Sequence, residues 1–151
     1  MAKTLRKGPE RRKVKRFPIQ CPTERQEQDA VIKWAKMMVA TGQEPRLKLL
    51  RCGFEGIRLN MGQRMMLKRQ SISTGWPDIF LAVPMMHFGL RNTCRDHMGL
   101  YIELKRRKGG VVSQEQRDLC VLLMEQGYEV CFCKGADEAI ETIKQYLGMT
   151  D

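Results

Sequence analysis

The stretch Gly99–Arg107, Gly-Leu-Tyr-Ile-Glu-Leu-Lys-Arg-Arg, constrains the fold more than any other part of the chain. Leu100, Ile102 and Leu104 alternate with Tyr101, Glu103 and Lys105. Period two predicts a strand with one apolar face. The same alternation sets Glu103 and Lys105 on one side with their tips close together. A carboxylate and an ammonium so placed are either an ordinary ion pair or half of a metal-dependent hydrolytic site.

The flanking elements follow from local patterns. Thr23 with Gln26 three residues on is a capping-box pattern and predicts a helix from about Glu24 to Val39. Ala30, Val31, Trp34, Ala35 and Met38 recur at helical spacing. Glu24 and Glu27 lie in its first turn, where acids favour the helix dipole. Either can also point inward. Thr41–Pro45 is a break, Leu47–Cys52 reads as a short strand, and Gly53–Gly56 turns the chain. Gln63–Gln70 predicts a short helix with Arg64, Lys68 and Arg69 on its exposed side.

Ile79–Val83 is a continuous apolar run, which predicts a strand buried on both faces, with Asp78 at its entrance. Pro84 stops it, and Pro84–Met98 reads as a long loop carrying His87 and His97. After the Leu100–Lys105 strand, Ser113 with Gln116 repeats the capping-box pattern. The helix it opens has Leu119, Cys120, Leu122, Leu123 and Met124 on its apolar side and ends at Gly127. Tyr128–Cys133 alternates as a strand. Ala136–Leu147 predicts a last helix, with Ala139, Ile140, Ile143, Tyr146 and Leu147 facing in. The two central strands make a hairpin and the last strand is reached by a helical crossover. The expected fold is α/β, a mixed sheet flanked by helices.

A chain of 151 residues suits one domain, here residues 23–150 after a basic arm at 1–22. Residues 1–20 hold eight basic residues and one acid, so +7 of the formal +10 lies there and the remainder carries +3. A Lys/Arg run with few apolar residues predicts a flexible arm and a polyanionic partner. No apolar stretch approaches the ~18 residues of a membrane span, and no secretory signal is visible. The six cysteines show no CxxC spacing, which predicts reduced thiols in a cytoplasm and argues against a zinc site.

If the central strands pair across the Pro84–Met98 loop, Asp78 and Glu103 converge, with Lys105 beside them. Two carboxylates with the Leu104 backbone carbonyl between Glu103 and Lys105 suit Mg2+ or Mn2+. Glu24 or Glu27 would complete the set through water. Such an ion polarises a phosphoryl oxygen and activates water, and Lys105 would orient that water or stabilise developing charge.

In this order the motifs resemble the VRR-NUC domain nucleases of phages and bacteria, within the PD-(D/E)XK superfamily. The residues that carry the likeness are Thr-Glu-Arg-Gln-Glu-Gln at 23–28, Gly-Trp-Pro-Asp-Ile-Phe at 75–80 and Gly-Leu-Tyr-Ile-Glu-Leu-Lys at 99–105. Ser-Gln-Glu-Gln at 113–116 and Gly-Tyr-Glu-Val at 127–130 continue it, so it spans about Thr23 to Leu147. The resemblance implies a restriction-endonuclease-like core and divalent-metal hydrolysis of DNA phosphodiesters. It implies Asp78 and Glu103 as metal ligands, Lys105 as catalytic lysine and Gln116 as the glutamine that follows the lysine strand. Glu24 best matches the family's helix acid, with Glu27 as rival. It also implies a homodimer selective for branched DNA such as Holliday junctions, acting in the bacterial host cytoplasm if phage-encoded. Candidate DNA contacts are Arg58, Arg64, Lys68, Arg69, Arg106, Arg107 and Lys108, with Arg11, Arg12 and Lys13 in the arm. The family often has Asn-Gly after its first strand, where this chain has Phe54-Glu55-Gly56.

Overall fold

A computed structural model of the chain describes residues 21–53, 60–70, 73–85 and 96–149. In chain order these form α1 (Glu24–Ala40), β1 (Leu50–Cys52), α2 (Met61–Gln70), β2 (Ile79–Leu81), β3 (Leu100–Lys105), α3 (Gln114–Glu125), β4 (Glu129–Lys134) and α4 (Ala136–Leu147). The sheet order is β1-β2-β3-β4. β1, β2 and β3 run antiparallel in succession, and β4 joins β3 in parallel through the α3 crossover. This is the expected α/β mixed sheet with its central hairpin.

The alternation of β3 divides the sheet into two faces. Leu100, Ile102 and Leu104 join Ile79 and Leu81 in a core with Val31 and Ala35 of α1 and Ala139 and Ile143 of α4. Each fully buried aliphatic side chain there is worth about 1.5–3 kcal/mol over an exposed one. The register pairs Ile79 with Ile102 and Glu103 with Phe132. The opposite face carries Phe80, Tyr101 and Tyr128, with Phe80 stacked on Tyr101 at 4.3 Å between centroids.

Several sequence expectations are corrected. The strand expected over Leu47–Cys52 is a 3-10 turn at Pro45–Leu49 followed by only three strand residues. Pro45 sets the helical φ, and the Glu44 carboxylate accepts from Arg46 N at 3.1 Å, which caps the turn. β2 stops at Leu81 rather than Val83, and Phe80 is half-buried, so the strand is not enclosed on both faces. Ala30 of α1 is exposed, and so are Leu122 and Met124 of α3. α2 begins at Met61, two residues before the expected start, because Asn60 and Gln63 cap each other reciprocally. Within the expected Pro84–Met98 loop, Met85 and His97 bridge antiparallel and extend the hairpin ladder; residues 86–95 lie outside the described residues. So do Arg58, the Phe54-Glu55-Gly56 segment and the arm cations Arg11, Arg12 and Lys13. Among the described residues no helix is long and apolar enough to cross a membrane.

α4 is tied at both ends by charge, to α1 at its start and to the 3-10 turn after α1 at its end. Gly135 precedes α4 and offers no side-chain cap. Instead Glu27 of α1 accepts from Ala136 N at 2.8 Å and from Arg107 Nε at 3.0 Å. Arg107 also binds Asp137 at 2.8 Å. At the other end Arg46 donates to the Leu147 carbonyl at 3.0 Å. Both contacts match the helix dipole, negative at the start and positive at the end. Gly135 has φ +86°, and a Cβ there would stand 2.7 Å from Arg107 Nε, so the position favours glycine on two grounds.

The Arg107 guanidinium holds the Glu27 carboxyl below its ordinary value of 4.5. Folding therefore favours the charged form. The stabilisation is complete above that value and is lost as pH falls through the lowered one. We predict that Glu27→Ala costs about 2 kcal/mol at neutral pH, since it uncaps α4 and strips a half-exposed arginine. Urea unfolding should show the gap between wild type and variant closing as the pH falls below the ordinary carboxyl value of 4.5. A pH-independent gap would contradict the assignment.

Candidate functional site

Asp78 enters β2 from the turn made by Trp76-Pro77, and both Pro77 and Asp78 are buried. Its Oδ1 accepts from Gln28 Nε2 at 2.7 Å and its Oδ2 from Leu104 N at 2.8 Å. The backbone of β3 thus grips the acid that opens β2. Glu103, one residue earlier, is 2% exposed. Its Oε1 meets Lys105 Nζ at 2.6 Å and also accepts from Gln116 Nε2. Lys105 Nζ donates in turn to Gln116 Oε1 at 3.2 Å.

Gln116 does two jobs with one side chain. Its Oε1 also accepts from Ser113 N at 3.0 Å, while Gln116 N donates to Ser113 Oγ at 3.2 Å. The capping box that starts α3 is therefore also the clasp on Glu103 and Lys105. Glu24, Arg25, Gln28, Asp78, Glu103, Lys105 and Gln116 line one polar cavity of about 160 Å³.

The two first-turn acids of α1 part company. Glu24 lines the cavity. Glu27 is turned to Arg107 and Ala136, on the α4 side of the helix. Arg107, expected among the phosphate contacts, is accordingly spent on two carboxylates. Arg106, Lys108 and Arg69 are exposed. At Leu104 it is the N–H that meets the site, donating to Asp78 Oδ2.

Two residues of the cavity were not singled out by sequence. Gln28 supplies a buried amide to Asp78; the signal was a polar residue on the inward face of α1. Arg25 stands exposed at the rim. A cation in the first turn of a helix opposes the dipole, which is a sign of use elsewhere.

The donor set suits a hard divalent cation. Two buried carboxylates face a polar cavity, and no histidine or cysteine lines it. Among the described residues no group of three His, Cys, Asp or Glu side chains stands close enough to hold a metal ion by itself. Mg2+ commonly takes one or two carboxylates and fills its shell with water and phosphate oxygens.

Comparison with known proteins gives one kind of likeness. A solved structure described as a VRR_NUC domain protein superposes with a TM-score of 0.64 at 21% identity, over 88% of this chain and 94% of that chain. No family model and no curated protein matches. The chain has the VRR_NUC domain fold, an α/β architecture consistent with a restriction-endonuclease-like core.

Glu103 is buried with Lys105 Nζ at 2.6 Å, so removing that cation is costly. We predict that Lys105→Met destabilises the fold by about 2–4 kcal/mol. The double variant Glu103→Gln, Lys105→Met should recover most of it, because no buried charge is then left alone. Additive losses in a urea-unfolding cycle would rule out the coupling.

Proposed function

We propose that this protein is a divalent-metal-dependent endodeoxyribonuclease that hydrolyses DNA phosphodiester bonds. The observation that supports this best is the joint cavity, in which Asp78 and Glu103 stand beside Lys105 and Gln116. Asp78, Glu103 and the Leu104 carbonyl would hold Mg2+ or Mn2+, with Glu24 acting through water. The ion, when bound, polarises a phosphoryl oxygen and lowers the pKa of a bound water.

The chain's own groups do the rest. Gln28 and the Leu104 N–H hold Asp78 in one rotamer, as outer partners of a ligand do. Glu103 and Gln116 hold the Lys105 ammonium at the cavity wall. There it orients the attacking water and offsets the charge that builds on the phosphate. Arg25 at the rim, with Arg69, Arg106 and Lys108, takes neighbouring phosphates. Arg58, Arg64, Lys68 and the arm cations Arg11, Arg12 and Lys13 complete the electrostatic footprint.

The finer reading is a homodimer selective for branched DNA such as Holliday junctions, with its two sites on opposite strands. It rests on the sequence resemblance, and so does action in a bacterial host cytoplasm. The fold itself is shared with a VRR_NUC domain protein.

The test is cleavage of linear, flap and four-way-junction DNA with and without Mg2+ or Mn2+. Metal-dependent nicking, strongest on the junction, is expected. Asp78→Asn should fall below about a thousandth of wild type. Silence on every substrate with metal present would sink the enzyme and leave a DNA-binding module. Deleting residues 1–20 should weaken binding and reduce the slope of log K against log salt by several units. An unchanged slope would remove the arm from the interface.

A further inference from the structure

Trp76 is 42% exposed, although it adjoins the buried Pro77 and Asp78. It precedes Asp78 by two residues, and its indole lies against Tyr101, at 6.1 Å between centroids and tilted by 50°. Tyr101 in turn precedes Glu103 by two residues on the same face of β3. The indole is therefore two residues from the cavity-lining Asp78 and packs on the sheet face that carries Glu103.

The loop that carries it has little room to move. Gly75 has φ +87°, and a Cβ there would lie 3.1 Å from Gln116 N, so this turn is seated on the first turn of α3. Pro77 is buried on the other side. Behind the indole, Tyr101 stacks on Phe80 at 4.3 Å and meets Tyr128 edge-on at 5.2 Å. The indole thus packs against an aromatic cluster on one side and meets solvent on the other.

We propose that Trp76 is a stacking platform for an unpaired nucleobase of the strand whose backbone enters the Asp78–Glu103 cavity. The proposal rests on the nuclease reading for its ligand. The occupant follows from the surroundings: a flat apolar ring stands two residues from a polar cavity whose lining sets Arg25 and Lys105 beside Glu24, Asp78 and Glu103. That pairing of π-face and phosphate-seeking charge is what single-stranded nucleic acid presents. A base can reach the ring only when it is out of the duplex stack. Trp76 would therefore favour strands near a branch, flap or gap over continuous duplex.

The test uses the full chain without divalent metal, so that DNA survives. The ligands are a thymidine oligomer and a deoxyribose-phosphate oligomer of equal length that lacks bases. Both carry the same charge. The unaltered chain should bind the thymidine oligomer roughly 5- to 100-fold more tightly, the range expected of base–aromatic stacking. Trp76→Leu should erase that preference and Trp76→Phe should restore most of it. In Trp34→Phe, where Trp76 is the one remaining indole, fluorescence should fall on adding thymidine oligomer and stay level with the baseless one.

Equal binding of the two oligomers by the unaltered chain overturns the proposal, and that measurement needs no variant to fold. The two readings fail separately. Metal-dependent cleavage with no preference for bases removes the platform alone. A base preference that depends on Trp76, without cleavage of any DNA, keeps the platform and removes the nuclease.

Discussion

The carboxylate of Glu27 is the contact on which the arrangement depends. It is buried, and burying a charge is costly unless it is paired and hydrogen-bonded. Here Arg107 supplies the charge and Ala136 N the backbone donor. The result fixes the start of α1 against the start of α4, and Arg46 fixes the far end. With α1 held at its first turn, the neighbouring Gln28 reaches Asp78 and Glu24 borders the cavity. An acid that does not face the cavity thus sets the position of those that do.

The site concentrates like charge where the fold can tolerate it. Asp78 and Glu103 are both buried, with one lysine beside them. Their cost is carried by the other face of the same strands, where Leu100, Ile102 and Leu104 are almost wholly enclosed. β3 therefore works as a partition. One set of alternate residues makes the core and the other carries Tyr101, Glu103 and Lys105. Asp78 accepts from Gln28 and a backbone N–H, while Glu103 is paired with Lys105 and accepts from Gln116.

Much of this was legible in local spacing. The bounds of β3 and α4 and both capping boxes follow from patterns of a few residues, because the interactions that set them are equally short. The hairpin and crossover follow from the order of elements. What escaped was non-local. The cap on α4 comes from a residue 109 positions earlier, and the partner of Arg107 from 80 positions earlier. No window of sequence contains both ends of such a contact. Glu24 and Glu27 were equivalent by helix geometry, and only the placement of α4 beside one of them separates their surroundings. The Leu47–Cys52 run misled for another reason. Its apolar content suited a strand, but Pro45 and the Glu44 cap favour a 3-10 turn first. The reciprocal Asn60–Gln63 cap lay open in the sequence and shows that a capping box need not begin with Ser or Thr.

The tie between α1 and α4 has a consequence in time. A ribosome delivers α1 early and Ala136 late. Until then Glu27 has no helix start to cap, and α1 is not yet held beside Asp78. β4 must also arrive before the sheet is whole, since it closes on β3 only after the α3 crossover. Long-range closures of this kind come late in folding. The acids of the cavity are thus all translated by Glu103, yet α1 is tied in place only once Ala136 has emerged.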